Sequence, residues 1–364
     1  MGCRRRRRTL SADPAGGERW LALSPLGEFA SIPAATADGK TDSNRVPAVA
    51  VDRKSTVSTP THADNALVLL AAGRSTRFGR LKQLAAIGPG GTTLIDYAVY
   101  DAKQVGFRRV VFVVRAEIEA DMRAAYGNRF TDMTVEFVHQ NLDDLPRGCV
   151  CPPGRERPWG TAHAVWAARS AVRERFAVIS ADDFYGRHAY EQLARQVFNP
   201  AADHDAAAII GFQLGGTLSK FGGVSRGVCE VGPDDNLIAT HEYRVIEDRP
   251  EGPVAIEGNR EIKLSRDAPV SMNMWSFPAT LPALLEDEHR GFFAELTPDD
   301  RLSRELYLTD CARRLVENGK LRIHVPRAES EWFGVTYDAD TPIVRQKIDA
   351  LIEAGAYPAD LWAK

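Results

Sequence analysis

Hydrophobic residues recur along residues 66–355 in two alternating patterns. Short, continuous apolar runs stop at glycine or at polar residues, and stretches with apolar residues at helical spacing lie between them. The runs ALVLLAAG (66–73), RRVVFVV (108–114), TVEFVHQ (134–140) and FAVISADD (176–183) read as strands. TLIDYAVYDAKQVG (93–106), EIEADMRAAYG (117–127) and TAHAVWAARSAVRER (161–175) read as helices, the first two closed by glycine. Strands without polar alternation are buried on both faces. Their alternation with helices therefore predicts an α/β protein with a parallel sheet covered on both sides. Right-handed crossovers place the carboxyl ends of such strands, and the loops they carry, along one edge.

The second half changes character. AAAIIGFQL (206–214), VSMNMWSF (270–277) and LRIHVP (321–326) read as strands, and 222–244 as a hairpin turning at GPDDN. Residues 279–289 and 301–318 read as helices, and TPIVRQKIDALIEAG (341–355) as a closing amphipathic helix with a glycine stop. A parallel half is thus followed by a mixed half, with no internal repeat.

The chain has 364 residues, enough for one large domain or two ordinary ones, with 44% apolar and 26% charged residues. Those values suit a globular core and exclude collagen-like, coiled-coil and wholly disordered readings. No run approaches the roughly 18 apolar residues of a membrane span. A net charge of -3 offers no general basic field for nucleic acid. Neither a membrane nor a nucleic acid is therefore expected as a partner, and the oligomeric state is left open.

The charge is uneven. Residues 1–64 carry ten Lys/Arg and seven Asp/Glu, a net +3, so the remaining 300 residues carry -6. Residues 4–8 are all arginine, and TLSADPAGG follows instead of the apolar region of a secretory signal. The arginines read either as a nucleic-acid or membrane arm or as a solvated tail. The segment after them is too poor in apolar periodicity to offset its ordering entropy. The expectation is a disordered, low-complexity basic tail over 1–64 and one folded domain over 65–364, its parallel half ending at 186 and its mixed half running over 187–364. Five cysteines, an odd number with no CxxC pair, read as free thiols in a reducing, cytoplasmic setting.

The densest chemical signal is LAAGRSTRFGRLKQ (70–83), directly after the first strand. Gly73 and Gly79 bracket a loop with Ser75, Thr76 and the cations Arg74, Arg77, Arg80 and Lys82. Small residues let backbone N–H groups approach a phosphate, and cations neutralise the oxygens that amides cannot reach. The glycine interval is one residue too long for a Walker loop, Arg80 stands where that loop has lysine, and the second glycine of GxGxxG is missing. Two further segments carry polar groups at strand ends. Gln140 closes the third strand before WGTAHA (159–164), where Thr161 can cap a helix. ISADDFYG (179–186) ends a buried strand in two carboxylates, Asp182 and Asp183, which need a cation or a capping role. His163 alone reads as a packed helix residue.

The loop resembles the signature of the nucleotidyltransferase superfamily that couples a nucleoside triphosphate to a sugar phosphate. LAAG at 70–73, TRFG at 76–79 and Lys82 match it. Ser75 and the short gap to Lys82 resemble the branch that acts on molybdopterin. The resemblance implies a Rossmann-like three-layer α/β/α sandwich with a mostly parallel sheet, the nucleotide-diphospho-sugar transferase fold, and makes 65–364 a catalytic domain with a nucleotide-binding half (65–186) and a sugar-binding half (187–364). It implies that Leu70, Ala71, Ala72, Gly73, Arg74, Ser75, Gln140, Gly160 and Thr161 bind the nucleotide. Arg77 and Lys82 would meet its phosphates, and Asp182 would hold Mg2+. Asp183, Glu242, Lys263 and Asn273 are the implied sugar-phosphate contacts. Met274 stands where the family usually has glycine. The second metal ligand is not assigned: its position falls at Gly334 or Thr336, while Asp338 lies further on and caps the last helix as well as Asp340 would. The implied partners are a nucleoside triphosphate and a sugar 1-phosphate, giving an NDP-sugar and pyrophosphate. A molybdopterin or phosphocholine nucleotidyltransferase, and a non-catalytic nucleotide-sugar-binding regulator, remain the alternatives.

Overall fold

A computed structural model describes residues 64–73, 82–199, 205–219, 222–335 and 340–363. The expected tail therefore lies outside the described residues, as do Arg74, Ser75, Arg77, Thr336 and Asp338, and so does the side chain of Lys82.

The first half alternates as its pattern requires. β1 (Ala66–Leu70) leads to α1 (Leu94–Gln104), β2 (Arg109–Val114), α2 (Ala116–Tyr126), β3 (Thr134–His139), α3 (Thr161–Ala167) and β4 (Phe176–Ser180). These four strands are parallel neighbours in the order β4-β1-β2-β3, with Val68 paired to Val111 on one side and Val178 on the other. Their residues alternate between two cores. Leu67, Leu69, Phe112 and Ile179 face the layer that holds α1 and α2. Val68, Val111, Val113 and Val178 face the layer that holds α3. Burial on both faces is why the runs lack polar alternation. α1 starts at a capping box in which Thr93 accepts from the Asp96 N–H and Asp96 accepts from the Thr93 N–H.

After β4 the chain makes β5 (Asp183–Phe184) and α4 (Arg187–Val197), then β6 (Ala206–Gln213), β7 (Val224–Val231), β8 (Leu237–Arg249), β9 (Gly252–Glu257), β10 (Arg260–Lys263) and β11 (Pro269–Phe277). It closes with α5 (Leu281–Ala294), α6 (Leu308–Glu317), β12 (Arg322–His324), β13 (Phe333–Gly334) and α7 (Thr341–Glu353). The large sheet runs β10-β9-β8-β7-β11-β4-β1-β2-β3, with β6 branching from β11 and pairing with β12. β11 is antiparallel to β4. The sheet is thus parallel in its nucleotide half and chiefly antiparallel beyond β4. α4 joins the α1–α2 layer and α5 and α6 join the α3 layer, completing the three-layer α/β/α arrangement.

Several boundaries differ from the pattern. The expected strand over 176–183 leaves the main sheet after Ser180, because Asp183 and Phe184 turn to pair with Gly334 and Phe333. The expected helix over 161–175 ends at Ala167 in a single 3-10 turn, since the chain must re-enter the sheet at Phe176. The helix over 301–318 begins only at Leu308, and 301–307 are held as a loop against the segment before α3. α4 and the β9–β10 hairpin are not read from the sequence: α4 buries only Ala189, Tyr190, Leu193 and Val197 in an otherwise chiefly polar segment. No helix of the described residues is long and apolar enough to cross a membrane. Cys149, Cys151, Cys229 and Cys311 are free thiols.

Candidate functional site

The carboxyl ends of β1, β3 and β4 open onto a cleft of about 660 Å3. Leu70, Ala72 and Gly73 line it from β1, Gln140 from β3, Gly160 and Thr161 from the start of α3, and Ser180 from β4. Six of the residues expected to bind nucleotide therefore meet in one place. Ala71 does not line the cleft: it is fully buried and its N–H donates to Val113 O.

The neck of the glycine loop is held by side chains from outside it. Gln83 Nε2 donates to Ala71 O at 3.1 Å, and Arg115 Nε donates to Ala72 O at 3.0 Å. The Tyr126 hydroxyl, 2.9 Å from Thr93 Oγ1, donates to Gln83 O at 3.0 Å. Ala71, Ala72 and Gln83 are thus tied together, to the start of α1 and to both ends of α2.

Gln140 Nε2 donates to Gly160 O at 2.9 Å, which orients the amide at the cleft wall. Gly160 has φ +104°, and a Cβ there would stand 2.4 Å from Leu306 O. The absent side chain makes room for the 301–307 loop: Leu306 N–H donates to Trp159 O at 2.7 Å and Ala162 N–H to Leu306 O at 3.1 Å. Thr161 does not cap α3, whose N-cap is Gly160. Its Oγ1 instead accepts from Leu308 N–H at 2.9 Å, at the start of α6. His163 is fully buried, with Nε2 2.7 Å from Asp144 O, and burial pushes its pKa down. It packs against Trp166 and His289.

The outer wall comes from residues the motifs do not mark. Gly154, Glu156, Arg157, Leu302 and Glu305 line the cleft, and Arg157 pairs with Glu305. Arg155 fixes this wall from behind. It is buried, lies 3.5 Å over the Trp159 ring, and donates to the carbonyls of Arg157, Pro158, Arg301 and Arg304. The available signal was the arginine pair in GRERPWG, two positions apart before a tryptophan.

Asp182 lies just past β4, on a small cavity of about 10 Å3 that it shares with Gln83, Ala181 and Val335. Asp183 turns away from it. The Tyr185 hydroxyl accepts from Ser180 N–H at 3.1 Å and directs its proton at Met272 O, 3.0 Å away, and Asp183 Oδ2, 3.3 Å away. Arg226 is also in range of Asp183. Burial draws its pKa down to about 10, and the Asp183 charge opposes that fall.

Asn273 is exposed and sits in the β11 bulge at φ +58°, a left-handed conformation that asparagine adopts more readily than most residues. Continuing the pairing of Trp275 with Val178 brings it opposite Ser180. Glu242 on β8 is in one row with Gly227 and Ser271, on the same end of the sheet. Although the residue is exposed, partial desolvation of its carboxyl and the charge of Asp310 push its pKa upward. Lys263 is not brought to this group. It ends the edge strand β10, exposed, and four strands separate β10 from β4 in the sheet order.

Magnesium takes oxygen ligands and is commonly held by one or two carboxylates together with substrate phosphates. Among the described residues no three His, Cys, Asp or Glu side chains converge as a closed metal site. Asp182 with a buried amide oxygen of Gln83 on the same cavity is an all-oxygen set of the open kind.

Comparison with known proteins finds that residues 67–211 match the family described as MobA-like NTP transferase domain. The bifunctional protein GlmU of Hyphomonas neptunium is 29% identical over 115 residues, covering 32% of this chain and 21% of that protein. The chain thus spans about a fifth of the length of this relative. Among solved structures, one from Bacillus anthracis named as a glucose-1-phosphate thymidylyltransferase, in complex with sucrose, aligns with a TM-score of 0.49 and 16% identity. That alignment covers 78% of this chain and 94% of the other.

Proposed function

We propose that this chain, whose residues 67–211 match the MobA-like NTP transferase domain, condenses a nucleoside triphosphate with a sugar 1-phosphate to give an NDP-sugar and pyrophosphate. The observation that carries this reading is the cleft, where Leu70, Ala72, Gly73, Gln140 and Gly160 meet Ser180, two residues before Asp182.

In this reading an oxygen of the sugar phosphate attacks the α-phosphorus. The bond from that phosphorus to the bridging oxygen of the β-phosphate breaks, and pyrophosphate leaves. The attacking phosphate is already anionic, so no protein nucleophile is needed. Catalysis then rests on alignment and on neutralising charge in the cleft. Gly73 and its neighbours carry the triphosphate, Gln140 and the Gly160 backbone meet the base, and Arg77 and Lys82 meet the departing pyrophosphate. Mg2+ held by Asp182 would neutralise triphosphate oxygens. Asn273, Glu242 and Asp183 lie on the acceptor side, across the β4–β11 junction.

A second reading, transfer to a molybdopterin phosphate, is favoured by the short interval between Phe78 and Lys82. Pyrophosphate release measured over a panel of triphosphates and phosphorylated acceptors separates the two. Asp182→Asn should slow release at least about a hundredfold through the lost metal contact. Near-normal release by that variant would remove the metal assignment. Nucleotide binding without turnover on any acceptor would point to a regulatory protein.

A further inference from the structure

Residues 356–363, after α7, lie against α1, and two of their side chains reach carboxylates of that helix. The Trp362 indole Nε1–H donates to Asp96 Oδ1 at 3.0 Å, and the Tyr357 hydroxyl donates to Asp101 Oδ2. Both carboxylates are buried. Tyr100 and Phe130 already seat the Trp362 ring, and Tyr97 and Phe184 the Tyr357 ring. Packing alone would dock the segment, so two buried charges, costly to desolvate, call for a further account.

The two differ in what stands behind them. Asp101 is bonded to Arg187 of α4, and neither residue lines the cleft. Asp96, paired with Arg129, opens a chain of hydrogen bonds that ends at the cleft. Its Oδ2 accepts from Thr93 N–H at 2.8 Å. Thr93 Oγ1 is 2.9 Å from the Tyr126 hydroxyl, which is 3.0 Å from Gln83 O, and Gln83 Nε2 donates to Ala71 O at 3.1 Å. The Gln83 carbonyl can only accept, so the Tyr126 proton goes to it and the Thr93 hydroxyl proton goes to Tyr126. Each donor in the chain is thereby used once. Thr93, Tyr126 and Gln83 are all buried, so bulk water does not compete for these links. Ala71 directly precedes Ala72 and Gly73, which line the cleft.

We propose that Trp362 is a positioning residue for nucleotide binding: through Asp96, Thr93, Tyr126 and Gln83 it holds the backbone at the end of β1 where Ala72 and Gly73 meet the triphosphate. Trp362 touches no nucleotide atom. A bound triphosphate needs that backbone in one place, and its apparent affinity falls in proportion to the fraction of molecules that hold it there. The inference rests on the reading of the cleft as a triphosphate site.

The test uses the full chain and calorimetric titration with the Mg2+ complexes of ATP, GTP, CTP, UTP and dTTP. Each variant is then followed with the triphosphate that wild type binds most tightly. Trp362→Phe keeps a ring against Tyr100 and Phe130 and removes the indole N–H. The loss of one hydrogen bond should weaken triphosphate binding about three- to tenfold. In pyrophosphate release the nucleotide KM should rise by the same factor, with kcat within about twofold of wild type. Tyr357→Phe is the control. It also takes one hydrogen bond from a buried carboxylate of α1 and should lower Tm, but Asp101 is off the chain, so triphosphate affinity should stay within about twofold. Tyr126→Phe keeps its ring and interrupts the chain. It should weaken binding as Trp362→Phe does, and the double variant should bind no more weakly than Tyr126→Phe alone, because residues in one network are not additive. Wild-type affinity in Trp362→Phe, equal weakening by Tyr357→Phe, or additive losses in the double variant would overturn the proposal and leave Trp362 an anchor of its own segment. Failure of wild type to bind any of the five triphosphates would instead remove the reading of the cleft, and this inference with it.

Discussion

Replacing Gly160 by alanine tests the architecture of the cleft most directly. Two costs can be separated. The first is conformational: φ +104° with an extended ψ of -178° is a region open essentially to glycine, and a side chain there costs about 1–3 kcal/mol. The second is a collision with backbone. The new Cβ would lie 2.4 Å from Leu306 O and 2.9 Å from Leu306 N and C, so the 301–307 loop must move. Moving it breaks the pair of hydrogen bonds that Leu306 makes with Trp159 and Ala162, each about 1 kcal/mol. The sum is about 3–5 kcal/mol, which for a domain of this size lowers Tm by roughly 6–15 °C. Gly148 supplies the internal control. Its φ is +92°, but a Cβ there meets nothing within 4 Å, so Gly148→Ala carries the conformational cost alone. Differential scanning calorimetry of both variants, with urea unfolding at 25 °C, gives the collision by difference. Equal losses in the two variants, or a Gly160→Ala Tm within about 2 °C of wild type, would refute the close approach of Leu306 and the wall built on it.

Arg155→Lys should cost roughly 3 kcal/mol and raise the KM for nucleotide, because a lysine cannot reach four carbonyls while stacking on Trp159; urea unfolding and steady-state kinetics check this. Tyr185→Phe should lower stability by about 2 kcal/mol and raise the KM of the acceptor more than that of the nucleotide, since the hydroxyl joins Ser180, Asp183 and Met272; a kinetic split in the other direction would refute it. Asp101 is buried, and desolvation lifts its carboxyl to about 6 despite the Tyr357 hydroxyl and Arg187. Its raised native pKa binds an extra proton between about pH 4 and 6, so this group makes stability fall as pH rises through that window. His289, drawn down to about 4 by burial, has the opposite effect: its contribution is complete above pH 6.5 and is lost as pH falls towards 4. The two slopes oppose one another, so Asp101→Asn should leave a steeper rise of stability between pH 4.5 and 6 than wild type shows, measured by urea unfolding across that range.

The parallel half was legible because burial on both faces leaves a direct mark. Val68, Val111 and Val178 could only be continuous apolar runs if helices covered each side. α4 was hidden because its contacts fall on four residues of an otherwise chiefly polar segment. The β9–β10 hairpin was hidden because its turn, with Gly258 at φ +59°, lies between strands whose outward residues are charged. At the site, glycine and amide signals pointed to Gly73, Gln140 and Gly160, which gather at the cleft. The outer wall was not legible, since Arg157 and Glu305 are 148 positions apart and meet only through the path of the 301–307 loop. Gly160 illustrates the limit of a local reading. Gly160 was expected as a nucleotide contact, whereas what demands a glycine there is the backbone of Leu306, whose carbonyl oxygen a Cβ would meet at 2.4 Å.

The junction between β4 and β11 explains why one sheet would serve two substrates. On the parallel side, carboxyl ends of strands leave small loops in a row, which suits an extended triphosphate. On the antiparallel side, β11 starts at the cleft and runs away from it, and its bulge at Asn273 turns a side chain outward at the level of Ser180. In-line attack requires the acceptor oxygen to come within about 3–3.5 Å of the α-phosphorus. In the proposed reaction that contact can form only above Ser180 and Asp182, where the two kinds of strand meet. Tyr185 holds both sides at this point, because a single hydroxyl touches the end of β4, the start of β5 and the β11 bulge. Selectivity for the base would then lie with Gln140 and the Arg157–Glu305 wall. Selectivity for the acceptor would lie with Glu242 and Asn273. Because Tyr185 separates the two groups, substitutions in one should change its own substrate's KM and leave the other's within about twofold, as expected for sites without shared contacts.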